Sequence, residues 1–128
     1  MKPELVLLVW SVALAFVQCL VAVTGATLQV GLPMLASNRE AMPPLTGWAG
    51  RAQRAHHNML ESLVLFAALV LACVISNKSN SVTLLGAQIF LWARLAYAFV
   101  YVIGIPWLRT GVWAVSVAGL IVIFLQLL

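Results

Sequence analysis

Four long apolar runs dominate this chain of 128 residues. Each run is close to or above the about 20 residues that an α-helix needs to cross the hydrocarbon core of a bilayer. The composition is 64% hydrophobic and 8% charged, and the mean hydropathy is +1.08. A soluble domain of this size could not cover so much apolar surface with polar groups. The sequence therefore predicts an all-α integral membrane protein, folded as a bundle of four transmembrane helices.

Short polar segments set the limits of the four spans. Pro33 begins the longest connection, which extends to Thr46 and contains the Pro43-Pro44 pair. Residues 77–81 form a polar turn before the third span. Thr110 is a candidate N-cap for the last helix, because its side-chain oxygen would bind an otherwise unpaired amide. We predict one membrane domain over residues 1–128, with spans at about 5–31, 48–75, 82–103 and 110–128.

Basic residues are distributed unevenly between the two ends of the predicted bundle. Arg39, Arg51, Arg54 and Arg109 belong to the first and third connections and the adjoining turns. The opposite end has only two lysines. Because cytoplasmic loops carry an excess of Lys and Arg, we predict that both termini lie outside the cytoplasm. The net charge of +4 includes no basic run, so no nucleic-acid partner is predicted.

The second span begins with a polar stretch, residues 51–61, that precedes the apolar run 62–75. Charge at membrane depth costs about 2.5–3.5 kcal/mol per residue, so such residues usually face a bundle interior, a partner or a water-filled site. His57 lies at the margin of this polar face and His56 points nearly the opposite way, so the histidine pair predicts no metal site. Four side chains share an arc of about 80° on a helix: Arg51, Arg54, Asn58 and Glu61.

The third span carries a second polar face. Arg94, Tyr97 and Tyr101 recur at spacings of three and four residues, which places them on one side of a helix. Arg94 is about 13 Å from the cytoplasmic end of its span, and Glu61 is about as deep in the second span. An ion pair between Arg94 and Glu61 would need no ligand, because a buried charge must be paired somewhere.

Simpler interpretations are also open for several polar and aromatic residues, including some of those above. Arg51 and Arg54 suit the cytoplasmic end of a span, where they would bind lipid phosphates. Tyr97 and Tyr101 are also explained as packing or interfacial residues. Trp113 lies near a predicted span end and is explained as an interfacial anchor.

Three motifs occur in order along the chain. Residues 51–61 read Arg-x-x-Arg-Ala-x-x-Asn-x-x-Glu, residues 93–101 read Ala-Arg-x-x-Tyr-x-x-x-Tyr, and Arg109-Thr110 comes before the last apolar run. Together, in a four-span chain, they resemble the membrane-associated proteins in eicosanoid and glutathione metabolism, the MAPEG family. Asn38-Arg39 and the stretch 45–48 are similar to short bacterial members, which implies the bacterial inner membrane.

The resemblance implies a homotrimer of four-helix bundles, with glutathione sites between subunits near the cytoplasmic face. It implies that the polar face of the second span holds the carboxylates and amine of the tripeptide, and that Arg109 lies beside its sulfur. It also implies that Tyr97 and Tyr101 contact the tripeptide from the neighbouring subunit. The implied catalytic residues are Arg109 and Thr110. The implied glutathione-binding residues are Arg51, Arg54, His57, Asn58, Glu61, Arg94, Tyr97 and Tyr101.

The chemistry of these residues suits glutathione. Its two carboxylates and one ammonium require an excess of Arg with one acidic residue. A free thiol has a pKa near 8.5, and only the thiolate is a good nucleophile. Lowering that pKa by about two units requires about 2.7 kcal/mol. An arginine beside a helix N-terminus supplies a fixed charge and a helix dipole, which makes Arg109 the candidate for thiolate stabilisation.

Three positions depart from the family pattern. Val64 stands where many members have Pro, Ser62 replaces an aromatic residue of leukotriene-type synthases, and His57 stands where some members have Arg. Two functional hypotheses therefore remain. The first is a glutathione-dependent membrane transferase or peroxidase for hydrophobic electrophiles. The second is a non-catalytic protein that binds lipid or ligand, or an accessory subunit of a larger membrane complex.

Overall fold

The computed structural model describes all 128 residues and contains five helices and no strand. Four of the helices are long and apolar enough to cross a membrane. This confirms the predicted all-helical class and the four candidate spans. The helices are α1 (Pro3–Val30), α2 (Leu32–Ala36), α3 (Gly47–Ile75), α4 (Ser81–Ile103) and α5 (Pro106–Leu127).

The last helix begins earlier than the sequence suggested. Pro106 occupies its first position, where a missing N–H costs nothing and the fixed φ suits a helix. Ile105 is the N-cap, with the extended backbone that a following proline favours. The prediction that Thr110 caps this helix is therefore wrong. Its Oγ1 donates to the Pro106 carbonyl oxygen at 3.3 Å, within the second turn. Arg109 consequently belongs to the first turn of α5 instead of a preceding link.

Two helices form the centre of the bundle. α3 and α4 contact each other, α1 contacts both, and α5 packs most extensively on α4. Phe66 and Phe90 stack between α3 and α4, with ring centres 4.1 Å apart. Gly86 and Gly119 let α4 and α5 approach closely, since a Cβ built on Gly119 would lie 2.7 Å from the Gly86 carbonyl oxygen. This close approach joins the second half of α5 to the beginning of α4. At the other end of the bundle, residues of α3 and α4 share a cavity with the start of α5.

One end of the bundle, here called the Glu4 end, has densely paired polar groups. The buried Glu4 carboxylate accepts hydrogen bonds from Ser79 Oγ at 3.0 Å and from Thr83 Oγ1 at 3.4 Å. Asn80 caps α4 with its side chain and also donates to Gln126 Oε1 at 3.0 Å. These bonds connect α1, the α3–α4 turn and α5. The opposite end, here called the arginine end, contains the residues of the sequence motifs.

Candidate functional site

A small polar cavity opens at the arginine end, between α3, α4 and α5. Its volume is about 190 Å³. Four of its five lining residues are candidates from the sequence motifs. The fifth, Trp113, was interpreted from the sequence as an interfacial anchor. The lining residues are Asn58, Tyr97, Arg109, Thr110 and Trp113.

Two tyrosines of α4 form an aromatic pair beside this cavity. The rings of Tyr97 and Tyr101 are nearly perpendicular, with centres 5.5 Å apart. Each ring has a different guanidinium closest to it: Arg94 Cζ is 4.2 Å from the Tyr97 centre, and Arg109 Cζ is 4.6 Å from the Tyr101 centre. Arg54 Cζ lies farther from the Tyr101 centre, at 6.0 Å. Cation–π contacts contribute about 0.5–2 kcal/mol, more when they are shielded from water. The tyrosines therefore fix the positions of two cations.

The arginines of α3 make contacts with α4. Arg54 Nε donates to Tyr101 Oη at 3.2 Å, and Arg51 Nε donates to the Val102 carbonyl oxygen at 2.9 Å. Val102 belongs to the last turn of α4, where carbonyl groups lack helical partners and favour a nearby cation. Arg51 thus has a structural contact that the sequence did not indicate. Neither guanidinium makes a second hydrogen bond within the chain.

Arg94 is a buried cation without a partner. Its side chain is 1% exposed, and none of its three nitrogens makes a hydrogen bond. The interpretation of Arg94 as half of an ion pair with Glu61 is wrong within one chain. Glu61 lies on an exposed face of α3, whereas the Arg94 guanidinium is directed at the Tyr97 ring. Asn58 Oδ1 is also buried and unpaired.

Two of the motif residues of α3 do not line the cavity. His57 and Glu61 are exposed on the surface of α3, whereas Asn58 lines the cavity. Adjacent positions on a helix point about 100° apart, so one stretch of α3 faces both the bundle interior and its outer surface. In a single chain, the polar residues of α3 that the sequence grouped together therefore differ in environment: Asn58 lines the cavity, whereas His57 and Glu61 are exposed.

A comparison with protein-family models decides the affiliation. The MAPEG family model matches residues 5–128, nearly the whole length. The chain belongs to the MAPEG family. Together with the four apolar helices, this makes it an integral membrane protein. Comparison with curated proteins and with solved structures found no match.

Membership gives a family-level function to this MAPEG chain. Membership supports, at the level of the family, a glutathione-related transferase, peroxidase or related function in a membrane. MAPEG members generally use glutathione as substrate or cofactor. The side chains at the arginine end fit such a ligand in charge and polarity. Arg94 and Asn58 present buried polar atoms that have no partner, and an anionic group and an ammonium group respectively would satisfy them.

Proposed function

We propose that this chain is a glutathione-dependent membrane transferase or peroxidase that acts on hydrophobic electrophiles. The observation that carries the proposal is the small polar cavity between α3, α4 and α5, which is lined by Arg109, Asn58 and Tyr97. The Tyr97 ring also contacts Arg94, whose nitrogens make no hydrogen bond. An isolated buried charge is costly, and it is retained where a ligand or partner neutralises it. A ligand with carboxylates and a thiolate supplies the missing negative charge.

Three residues of the cavity and three arginines outside its lining have separate proposed roles. We assign the carboxylates of the tripeptide to Arg94, Arg51 and Arg54, none of which lines the cavity of a single chain. Asn58 Oδ1 accepts a hydrogen bond from its ammonium. Arg109 stabilises the thiolate, which is the nucleophile that bound glutathione supplies. Thr110 follows Arg109 in the chain and lines the same cavity, where its hydroxyl is a second hydrogen-bond donor.

The position of Arg109 favours this assignment. Its backbone N–H donates to the Ile105 carbonyl oxygen, so the residue lies in the first turn of α5. The helix dipole is positive there, and the guanidinium adds a full charge. The Tyr101 ring holds that guanidinium beside the cavity. Two positive fields therefore act at one position without rearrangement of the protein.

We also propose a homotrimer, with the site completed by a neighbouring copy. The exposed face of α3 has side chains spaced alternately by four and three residues, which is the pattern of a helix–helix seam. Its polar part contains His57 and Glu61, so a neighbour that covers the seam also covers these residues. The cavity of about 190 Å³ is below the about 300–1,000 Å³ of complete ligand sites, which supports completion by a second chain. The seam positions are His57, Glu61, Val64, Ala68, Leu71 and Ile75.

The location follows from the same proposal. We place the protein in the bacterial inner membrane with the arginine end in the cytoplasm, where glutathione is available. Both termini then lie on the other side of the membrane. Hydrophobic substrates reach the arginine end through the bilayer.

Ultraviolet difference absorbance tests the proposed function. Purified protein in detergent is titrated with glutathione, and the thiolate band is followed for the wild type, Arg109→Ala and Arg39→Ala. Arg39 is an exposed arginine in the α2–α3 connection, so its replacement is a matched control. We expect a saturable band in the wild type and in Arg39→Ala, and its loss in Arg109→Ala. Saturable binding without a band would favour the non-catalytic hypothesis, and absence of binding would exclude glutathione.

A further inference from the structure

The end of α4 has one carbonyl group that cannot find a helical partner. Val102 lies in the last turn of α4, and in a continuing helix its oxygen would accept from the N–H four residues later. That residue is Pro106, which has no N–H and begins α5. Arg51 Nε takes this place and donates to the Val102 oxygen at 2.9 Å. Arg51 therefore supplies, from α3, the bond that Pro106 cannot make.

The Arg51 side chain also lies against the turn between α4 and α5. Gly104, in that turn, has φ +93°, which is in the left-handed region that favours glycine. A Cβ built on Gly104 would lie 3.2 Å from Arg51 Nε and 3.4 Å from Arg51 Cδ. Glycine is thus required here by the backbone and by the arginine that packs on it. Arg51 holds the turn through a hydrogen bond and through this contact.

The charge of Arg51 suits the end of α4 better than the start of its own helix. Arg51 lies within the first two turns of α3, where the helix dipole is positive and disfavours a cation. The last turn of α4 carries the negative end of its dipole, which favours one. The electrostatic gain of this side chain therefore comes from its contact with α4.

Arg109 is connected to the same turn by a backbone hydrogen bond. Only Gly104 and Ile105 separate α4 from α5, and the amides of both donate to the Val100 oxygen, at 2.9 and 3.3 Å. The Ile105 oxygen accepts from the Arg109 amide at 3.0 Å. The direction of the first turn of α5 therefore depends on the conformation of these two residues. That direction places the Arg109 guanidinium beside the cavity and the Tyr101 ring.

We propose that Arg51 is a positioning residue for Arg109. It holds the α4–α5 turn, and the turn places the Arg109 guanidinium beside the cavity. This role rests on the proposed function, in which Arg109 stabilises the thiolate, and it is additional to the carboxylate contact assigned to Arg51. The two roles have different consequences. Loss of a carboxylate contact weakens glutathione binding, whereas displacement of Arg109 moves the thiolate titration to higher pH.

Hydrogen exchange tests the hold on the turn without any ligand. The wild type, Arg51→Met and Arg54→Met in detergent are compared by mass spectrometry of peptides that cover residues 103–109. Loss of one hydrogen bond predicts exchange about twofold to tenfold faster in Arg51→Met. Arg54→Met removes the charge of another α3 arginine, which bonds Tyr101 instead of the turn, and should exchange as the wild type does. Equal exchange in the wild type and Arg51→Met would overturn the proposal, as would equal acceleration in both variants.

Titration of the thiolate band tests the effect on Arg109. At saturating glutathione, Arg51→Met should move the titration to higher pH by about 0.5–1 unit, a part of the shift of about two units assigned to the thiolate site. Gly104→Ala disturbs the turn without a change of charge and should move the titration in the same direction. Arg54→Met is the control for the lost charge. Gly111→Ala is the control for the added methyl group, since a Cβ on Gly111 meets nothing within 4 Å. Both controls should titrate as the wild type does.

The outcomes separate this inference from the proposed function. A titration in Arg51→Met that stays at the wild-type pH, with weaker binding alone, would overturn the proposal and leave Arg51 as a ligand of the carboxylate. A shift that Arg54→Met reproduces would assign the effect to charge and would also overturn it. In both cases the wild type keeps its thiolate band. Absence of the band in the wild type would instead exclude the proposed function itself.

Discussion

The guanidinium carbon of Arg109, on α5, lies 4.6 Å from the centre of the Tyr101 ring, on α4. The same tyrosine accepts a hydrogen bond from Arg54 Nε, on α3, at 3.2 Å through its hydroxyl. One buried side chain therefore positions arginines from two other helices. The hydroxyl binds Arg54 alone, whereas the ring has Arg109 close to it and the Arg54 Cζ farther away at 6.0 Å, so substitutions can separate the hydroxyl contact from the ring contact with Arg109.

Replacement of Tyr101 should show which contact matters for thiolate formation. Tyr101→Phe keeps the ring under Arg109 and loses the bond to Arg54, so glutathione should bind up to about tenfold more weakly with an unchanged thiolate titration. Tyr101→Leu loses both contacts and should move the thiolate titration to higher pH, because Arg109 is no longer held in place. The pH dependence of the thiolate band measures this. An identical shift in both variants would show that the ring does not position Arg109.

Arg109 should affect turnover more than affinity. Arg109→Ala removes the fixed charge beside the proposed sulfur position, and we expect turnover with a hydrophobic electrophile to fall by about 100-fold, which corresponds to about 2.7 kcal/mol. The dissociation constant for glutathione should change by less than about threefold. Arg109→Lys retains the charge without the planar group that stacks on Tyr101, and should have intermediate activity. Equal losses of turnover and affinity in Arg109→Ala would count against its role.

Arg94 should destabilise the ligand-free protein. Arg94→Met replaces an unpaired buried cation with an apolar chain of similar length, and we expect the free energy of unfolding without ligand to rise by about 1–3 kcal/mol. Stabilisation by added glutathione should be lost in the same variant. Thermal unfolding in detergent, with and without glutathione, measures both effects. Arg39→Met, at an exposed position, is the control, and a ligand-free Arg94→Met less stable than the wild type would contradict the prediction.

Close packing of α4 and α5 should depend on Gly119. A Cβ at this position would meet the Gly86 carbonyl oxygen at 2.7 Å and the Phe90 amide nitrogen at 3.0 Å, so Gly119→Ala must separate the helices. We expect a destabilisation of about 1–3 kcal/mol. Gly111, on the same helix, has nothing within 4 Å of a built Cβ, and Gly111→Ala should stabilise the helix by up to about 1 kcal/mol. Melting temperatures that fall equally in both variants would show that helix contact is not the cause.

Local patterns were sufficient to predict the spans and most of the cavity. A run of about 20 apolar residues has few alternatives to a membrane helix, because every backbone polar group must be paired within it. Helical spacing likewise places Arg94, Tyr97 and Tyr101 on one face of α4. The wrong prediction at Thr110 also concerned a local signal. Pro106 is a stronger signal for the start of α5 than Thr110, because proline fixes its own φ at a helical value and favours an extended backbone at the preceding residue, Ile105.

Relations between distant residues depended on the tertiary structure. The sequence by itself determined four apolar helices, a polar stretch at the start of α3 and the motifs of the family. The packing of α3, α4 and α5 decided that Trp113 lines the cavity, that Arg51 binds the end of α4, and that Glu61 does not pair with Arg94. It also left Gln18 Oε1, in the middle of α1, without a hydrogen-bond partner. The physical reason is that periodicity specifies the direction of a side chain around its own helix, whereas a partner on another helix depends on how the helices are rotated and packed.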